Sequence, residues 1–291
     1  MMTGRDAIWT NLSHDEHEFQ YNPQKAFPDF ASSRLNREPV NTRALAELDR
    51  VADIAFGEHP LHRLDLYRAA GAGPHPVHAF FHGGYWRAQD KANFACIAPM
   101  LVERGVTVAI MNYELCPGSS LDGVADSALA GVEWLHRNVA DHGGDPMRIS
   151  LSGHSAGAHL VAEALAADWP AIGIDPAFIV GAVPVSGIFD PAPARLTSVN
   201  AELRLDDDLI ARRNVETRPV HARCPVSLFV GGLEPWHWID QTYRYAHHLH
   251  REGLRPEVHV LPAYGHFDIL DDFLQPDAPI GRALVQASLG R

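Results

Sequence analysis

The sequence predicts an α/β fold, a largely parallel sheet with helices on both faces. Two observations carry this. From residue 51 onward, strand-like apolar runs alternate with helical patterns. Some of those runs, VTVAIMN at 106–112 among them, are apolar almost throughout, as strands covered on both faces are. The chain has 291 residues and is 46% hydrophobic, enough for one large domain with its own core.

The elements follow in order. Residues 1–50 are polar and broken by Pro23, Pro28 and Pro39. They read as an N-terminal segment packing over a domain that spans 51–291, with a short helix near 42–50. Runs at 64–66 and 77–81 are strand-like, 92–104 is helical and 106–112 is a buried strand. Across 122–138, Val124, Leu129, Val132 and Leu135 recur at helical spacing, with Val139 just beyond. RISLS at 148–152 is a short strand, and 156–167 a helix rich in Ala and Leu. Strands follow at 179–185 and 226–230, a helix at 239–251, a last strand at 257–261 and a closing helix. The stretch 186–223 breaks the rhythm. It is long, charged and proline-bearing, so it reads as an insertion able to overhang the carboxyl edge of the sheet, where sites form in open α/β folds.

Composition excludes several classes. The formal net charge is -12, and nucleic acid and anionic membranes both reward clustered Lys and Arg, so neither is expected as a partner. Asp206-Asp207-Asp208 is the longest acidic run and reads as a solvated loop or helix start. Cys96, Cys116 and Cys224 are odd in number and widely spaced, which fits reduced thiols in a cytoplasmic protein better than a disulfide framework or a CxxC metal site. The N-terminus lacks the basic start and apolar stretch of a signal peptide. No run of about 18 apolar residues suggests a membrane span. The 18 histidines are scattered without an HEXXH pattern, so no metal is expected.

The strongest local motif is Gly153-His154-Ser155-Ala156-Gly157, a G-x-S-x-G between the RISLS strand and a helix. That context defines a nucleophile elbow, a turn that lifts a serine hydroxyl above the sheet at a helix N-terminus, where the dipole favours developing negative charge. Ser155 needs a base, and in this arrangement the chain order is Ser, then acid, then His. His266 lies after the last strand in VLPAYGHFDIL and is the expected base. His259 is inside that strand, and His154 points the wrong way to act as base. The acid is expected after the preceding strand, at Glu234, with Asp190 and Asp240 as rivals. Asp268 is expected to cap the final helix. One oxyanion donor is the Ala156 N–H. The others are expected from FFHGGYWRAQ at 80–89, where Gly83 and Gly84 bare the backbone, each donor being worth roughly 2.7–4 kcal/mol. His82 is expected to brace this loop, and Tyr85 and Trp86 to wall the substrate, with core packing as the alternative for both.

Read together, HGGYW, NYELCPG, GGDPMRISLSGHSAGAHL, SGIFD and YGHFDIL resemble the kynurenine formamidase (arylformamidase) group of α/β-hydrolases, near the hormone-sensitive-lipase-like esterases. The resemblance covers 47 to the C-terminus, with a weaker match at Tyr21-Asn22-Pro23. It implies an eight-stranded, mostly parallel sheet with a small cap from the N-terminal segment and the insertion. It implies a triad of Ser155, His266 and an acid, which supports Glu234, and oxyanion donors from Gly83, Gly84 or Tyr85 with Ala156. It implies no cofactor. The departure is Glu234-Pro235-Trp236-His237-Trp238, unusually aromatic, which adds Trp236 and Trp238, with His154, to the expected substrate contacts.

The expected activity is therefore that of a cofactor-free serine hydrolase removing a small acyl group from an aromatic amide or ester. A general short-chain carboxylesterase is the alternative within enzymes. A ligand-binding protein on a hydrolase scaffold is the alternative from another class. A small-molecule substrate is the expected partner, and a homodimer is a compatible assembly.

Overall fold

The computed structural model describes residues 9–290. The chain opens with helices α1 (His14–Tyr21), α2 (Pro23–Ala26) and α3 (Glu38–Glu47). A capping box starts α1, in which the Ser13 side chain accepts the Glu16 N–H and the Glu16 carboxylate accepts the Ser13 N–H. Strands β1 (Arg50–Ala55), β2 (Arg63–Tyr67) and β3 (His75–Phe81) follow, then α4 (Ala98–Val102), β4 (Thr107–Met111), α5 (Leu121–Asn138), β5 (Gly144–His154) and α6 (Ala156–Ala166). Beyond them come β6 (Ile179–Val185), α7 (Asn200–Leu203), α8 (Asp207–Arg213), β7 (Ser227–Gly231), α9 (Trp236–Arg251), β8 (Glu257–Leu261) and α10 (Pro279–Leu289).

The eight strands form one sheet in the order β1-β2-β4-β3-β5-β6-β7-β8. β2 runs antiparallel to both β1 and β4, and the remaining pairs are parallel. Alternation along each strand divides the core in two. Val77, Ala79 and Phe81 of β3 face one cluster with α5, α6 and α9. Phe80 faces the other, with α4 and α10. On that second side polar residues are paired rather than exposed. His78 Nδ1 lies 2.8 Å from Ser150 Oγ and its Nε2 lies 2.7 Å from Ser152 Oγ. Ser150 Oγ meets Ser288 Oγ of α10 at 2.8 Å. Burial holds the His78 pKa down to about 3, so the ring stays neutral.

Three expectations change. The polar start of the chain holds three helices, and its expected helix near 42–50 sits at Glu38–Glu47. The helical stretch 92–104 is a 3-10 turn, Lys91–Ile97, followed by the short α4. A strand at 50–55 joins the sheet edge that the pattern left blank, with a register shift between Val51 and Ile54. The insertion packs on α1, where Glu18 accepts the Ser198 N–H and hydroxyl and His17 Nε2 lies 2.6 Å from the Pro193 carbonyl. At its far end Arg213 bonds Asp122 and Asp126 of α5, at 2.5 and 2.7 Å. No helix among the described residues is long and apolar enough to cross a membrane.

Candidate active site

Strand β5 delivers its last residue, His154, to a turn in which Ser155 has φ 57° and ψ -119°. That left-handed backbone is costly for a residue with a side chain, and the surroundings hold it in place. The Ser155 N–H donates to the Val185 carbonyl of the neighbouring strand at 2.9 Å. Close packing does the rest. A Cβ on Gly157 would lie 2.0 Å from the Phe81 carbonyl oxygen, so only glycine lets α6 start this close to β3. Ser155 thus stands at the carboxyl edge of the sheet on the N-terminus of α6.

His266 lies in the loop after β8. Asp268 fixes that loop by accepting the Gly265 N–H at 2.7 Å, instead of capping α10, which begins at Pro279 after Ala278. His266 Nε2 is 3.0 Å from Ser155 Oγ, and its Nδ1 is 2.6 Å from Glu234 Oε2. The Glu234 carboxylate is fully employed. Its Oε1 accepts the Ser186 hydroxyl at 2.5 Å and the Gly231 N–H at 2.8 Å. Asp190 points elsewhere, accepting from Ala192 and Asn214 at 2.9 and 3.1 Å. Asp240 pairs with Arg244 at 2.9 Å. Ser186 opens the SGIFD stretch, but nothing in the sequence assigned it a role; its φ of 51°, at the end of β6, turns the hydroxyl toward Glu234.

The loop after β3 faces Ser155. The N–H groups of Gly83, Gly84 and Ala156 donate to no atom among the described residues. Gly84 has φ 117°, a conformation that side chains rarely adopt. His82 braces the loop with Nδ1 2.7 Å from the Gly83 carbonyl, and burial holds its pKa down to about 4. The Tyr113 hydroxyl adds a second brace, donating to the His82 carbonyl at 2.6 Å.

A cavity of about 290 Å³ opens on Ser155 and His266. His154, Gly83, Gly84 and Tyr85 line it on the sheet side. The N-terminal segment forms the opposite wall through Gln24, Phe30, Arg34 and Arg37. That wall is tied down. Tyr85 Oη donates to the Tyr21 carbonyl at 2.7 Å, and Arg37 donates to Asp271 at 2.7 Å and to the Phe267 carbonyl at 3.1 Å. Phe30 packs on Phe267 at 5.2 Å between ring centroids.

Three expected substrate contacts do not line this cavity. Trp86 is 0% exposed and packs edge-on against His159 in the core, because its φ of 57° turns the ring inward. Trp238 is 1% exposed, donates its indole N–H to the Ser186 carbonyl at 2.9 Å and meets the His266 ring edge-on at 4.8 Å. Trp236 is 65% exposed, on the outer side of the first turn of α9. The aromatic wall comes instead from Phe30, Phe94 and Phe267, of which only Phe267 lies in a motif, YGHFDIL, where it was given no role.

Among the described residues, His59, His62 and Glu114 bring three potential metal-ligand atoms within 4.8 Å of one another. None of them lines the cavity. His62 Nε2 already pairs with Glu114 at 2.9 Å, and His59 Nδ1 accepts the Leu61 N–H at 3.1 Å.

A mostly parallel eight-stranded sheet carrying a serine at a strand-to-helix elbow defines the class. The chain belongs to the α/β-hydrolase fold family, whose model matches residues 78–269. Within it, the chain is similar to the kynurenine formamidase of Danio rerio, at 28% identity over 96% of this chain and 97% of that protein. A shorter stretch is similar to an isoprenylcysteine alpha-carbonyl methylesterase of Arabidopsis thaliana, at 38% identity over 38% of this chain and 26% of that protein. Among solved structures, an esterase of Pyrobaculum calidifontis matches with a TM-score of 0.73 and 15% identity, covering 95% of this chain and 96% of that one. That last likeness shows the fold. The family and the full-length likeness give the chain a hydrolase role at the level of the family.

Proposed function

We propose that this chain is a serine hydrolase that removes a small acyl group, formyl above all, from an aryl amide or ester, in the manner of a kynurenine formamidase. The observation that carries the reading is the hydrogen-bonded series Ser155 Oγ, His266 and Glu234, at 3.0 and 2.6 Å, beside three unengaged N–H groups. Ser155 attacks the carbonyl as His266 Nε2 takes its proton. The oxyanion forms against the N–H groups of Gly83, Gly84 and Ala156, which need no rearrangement to receive it. His266 returns the proton to the leaving nitrogen or oxygen. Water, activated by the same imidazole, then releases the acid. Glu234 orients the ring and stabilises its charged form. Phe30, Phe94 and Phe267 offer an apolar surface for an aryl group. Full-length similarity to the Danio rerio enzyme supports the formamide; the methylesterase likeness favours a second reading, a short-chain carboxylesterase. The buried, unpaired Cys96, Cys116 and Cys224 support a reducing, cytoplasmic setting.

Labelling with a fluorophosphonate probe tests the nucleophile. It is expected on the wild type and lost in Ser155→Ala; an unlabelled wild type favours a non-catalytic binding protein. Comparing kcat/KM for N-formylkynurenine and phenyl acetate separates the two enzymatic readings. An undetectable rate on the formamide, with turnover of the ester, leaves the carboxylesterase.

A further inference from the structure

We propose that His154 is a fixed hydrogen-bond acceptor for the N–H of a bound amide, making the site selective for secondary amides over esters. This rests on the hydrolase reading above and refines it.

The tautomer is set by the protein. His154 Nε2 lies 2.7 Å from the His266 carbonyl oxygen. A carbonyl oxygen only accepts, so Nε2 carries the proton. The ring is 3% exposed, and burial, followed by the nearby His266 and Arg37, holds its pKa well below the ordinary histidine value. A neutral ring protonated at Nε2 leaves Nδ1 as a bare acceptor. Nδ1 makes no hydrogen bond among the described residues, and His154 lines the cavity with Ser155 and His266. Its place is close to the reaction. A Cβ built on Gly83 would stand 3.0 Å from His154 Nδ1 and 3.2 Å from Ser155 Cβ. The acceptor therefore borders Gly83 of the oxyanion loop, as Ser155 does, with its ring 4.7 Å from the His266 ring.

Amide cleavage has a use for such an atom. When Ser155 Oγ bonds to the carbonyl carbon, the amide nitrogen becomes pyramidal. Its new lone pair must turn toward the His266 Nε2–H that will protonate it. The N–H already present must then point elsewhere, and in a water-poor site it needs an acceptor. His154 Nδ1 provides one. The C–N bond breaks as His266 gives its proton to nitrogen, and the N–H held by His154 leaves with the amine. His154 gains and loses no proton. An ester has no N–H to offer, and its leaving oxygen would set a lone pair against that of Nδ1.

The test uses three matched substrates, formanilide, N-methylformanilide and phenyl formate, with the full chain and its His154→Leu and His154→Gln variants. The readout is the ratio of kcat/KM for formanilide to that for phenyl formate, so any disturbance of His266 that affects both substrates cancels. In His154→Leu the ratio is expected to fall by about tenfold to a hundredfold, with part of it restored in His154→Gln. The wild type is expected to prefer formanilide to N-methylformanilide, and His154→Leu to lose that preference. Fluorophosphonate labelling of each variant establishes that it is folded and that Ser155 is reactive. An unchanged ratio in a labelled His154→Leu overturns the proposal alone. A wild type that turns over the ester but neither amide overturns it together with the formamide reading, and leaves the carboxylesterase. A wild type that is neither labelled nor active overturns the hydrolase reading and this proposal with it.

Discussion

At the scale of single residues, Glu234 is separated from its rival Asp190 by what each carboxylate already holds. Glu234 accepts from His266, Ser186 and Gly231, whereas Asp190 accepts from Asn214 and the chain beside it. Glu234→Gln replaces one acceptor with a donor among three donors. It is expected to lower kcat by about 10²–10⁴-fold. Asp190→Asn is expected to leave kcat within about threefold, because Asp190 holds Ala192, Asn214 and, at 3.4 Å, Arg244, and does not touch His266. Steady-state kinetics on one substrate reads both; the reverse order would move the acid to Asp190. Ser155, His266 and Glu234 were legible because the elbow motif and the chain order of the fold constrain position without needing side-chain directions. Trp86 and Trp238 were not. Trp86 has a positive φ that reverses the direction a simple turn would give. Trp236 and Trp238 are two apart on a helix and so face different sides, one to solvent and one to the core.

At the scale of elements, the elbow and the N-terminal wall are held by different means. The elbow depends on closeness of backbone. Gly157→Ala would bring Cβ to 2.0 Å from the Phe81 carbonyl oxygen, with no flexible side chain to yield. It is expected to destabilise the protein by about 3 kcal/mol, seen as a lower urea midpoint at unchanged slope. The wall depends on a few polar ties. Arg37→Ala removes its bonds to Asp271 and the Phe267 carbonyl, and is expected to raise KM for an aryl substrate about fivefold with a smaller change in kcat. An equal loss in the rate on a non-aryl ester of similar size would show that Arg37 serves the sheet side instead. The central strands were legible because both of their faces are apolar. Helix α1 was missed although Ser13 and Glu16 spell a capping box, because its mostly polar residues show no apolar stripe. Strand β1 was missed because it is a half-exposed edge whose bulge breaks the alternation.

At the scale of the whole molecule, neutral histidines buried near the sheet make stability depend on acid. His78 and His82 have their pKa values lowered by burial to about 3 and about 4, and His154 is lowered as well. A group whose pKa falls on folding costs nothing above its unfolded value of about 6.5, and removes stability as the pH drops toward the folded value. Each contributes about 1.4 kcal/mol per pH unit over that interval. Glu216 acts oppositely. Burial raises its pKa to about 8, so it favours folding more as the pH drops from about 8 to about 4.5. These histidines, joined by His159, His237 and His248, whose values burial also lowers, outweigh Glu216 and make the melting temperature fall between about pH 6.5 and 4, measurable by calorimetry. His78→Gln is expected to flatten that fall by about one group's share, and a profile flat to pH 4 would mean these rings are charged or wet in the folded state. At this scale the sequence showed the alternation of strands and helices but not which helices share a face of the sheet, since that follows from strand order and not from any local pattern.

The N-terminal wall also bears on how the protein comes into being. Arg37 and Asn36 reach across to Asp271, and Phe30 rests on Phe267. A ribosome adding about 5–20 residues per second makes these partners roughly 10–50 s apart. Through that interval Phe30 and Arg37 lack these late partners although α1 can already dock on Pro193 and Ser198, and the proposed nucleophile, Ser155, is made well before its proposed base. On the proposed mechanism the nascent chain would carry an unarmed Ser155 and an open cleft until residues 266–271 emerge. Hydrolysis by that mechanism would begin only once the segments around Phe30 and His266 close on each other, and a chain stopped short of His266 is expected to be inactive.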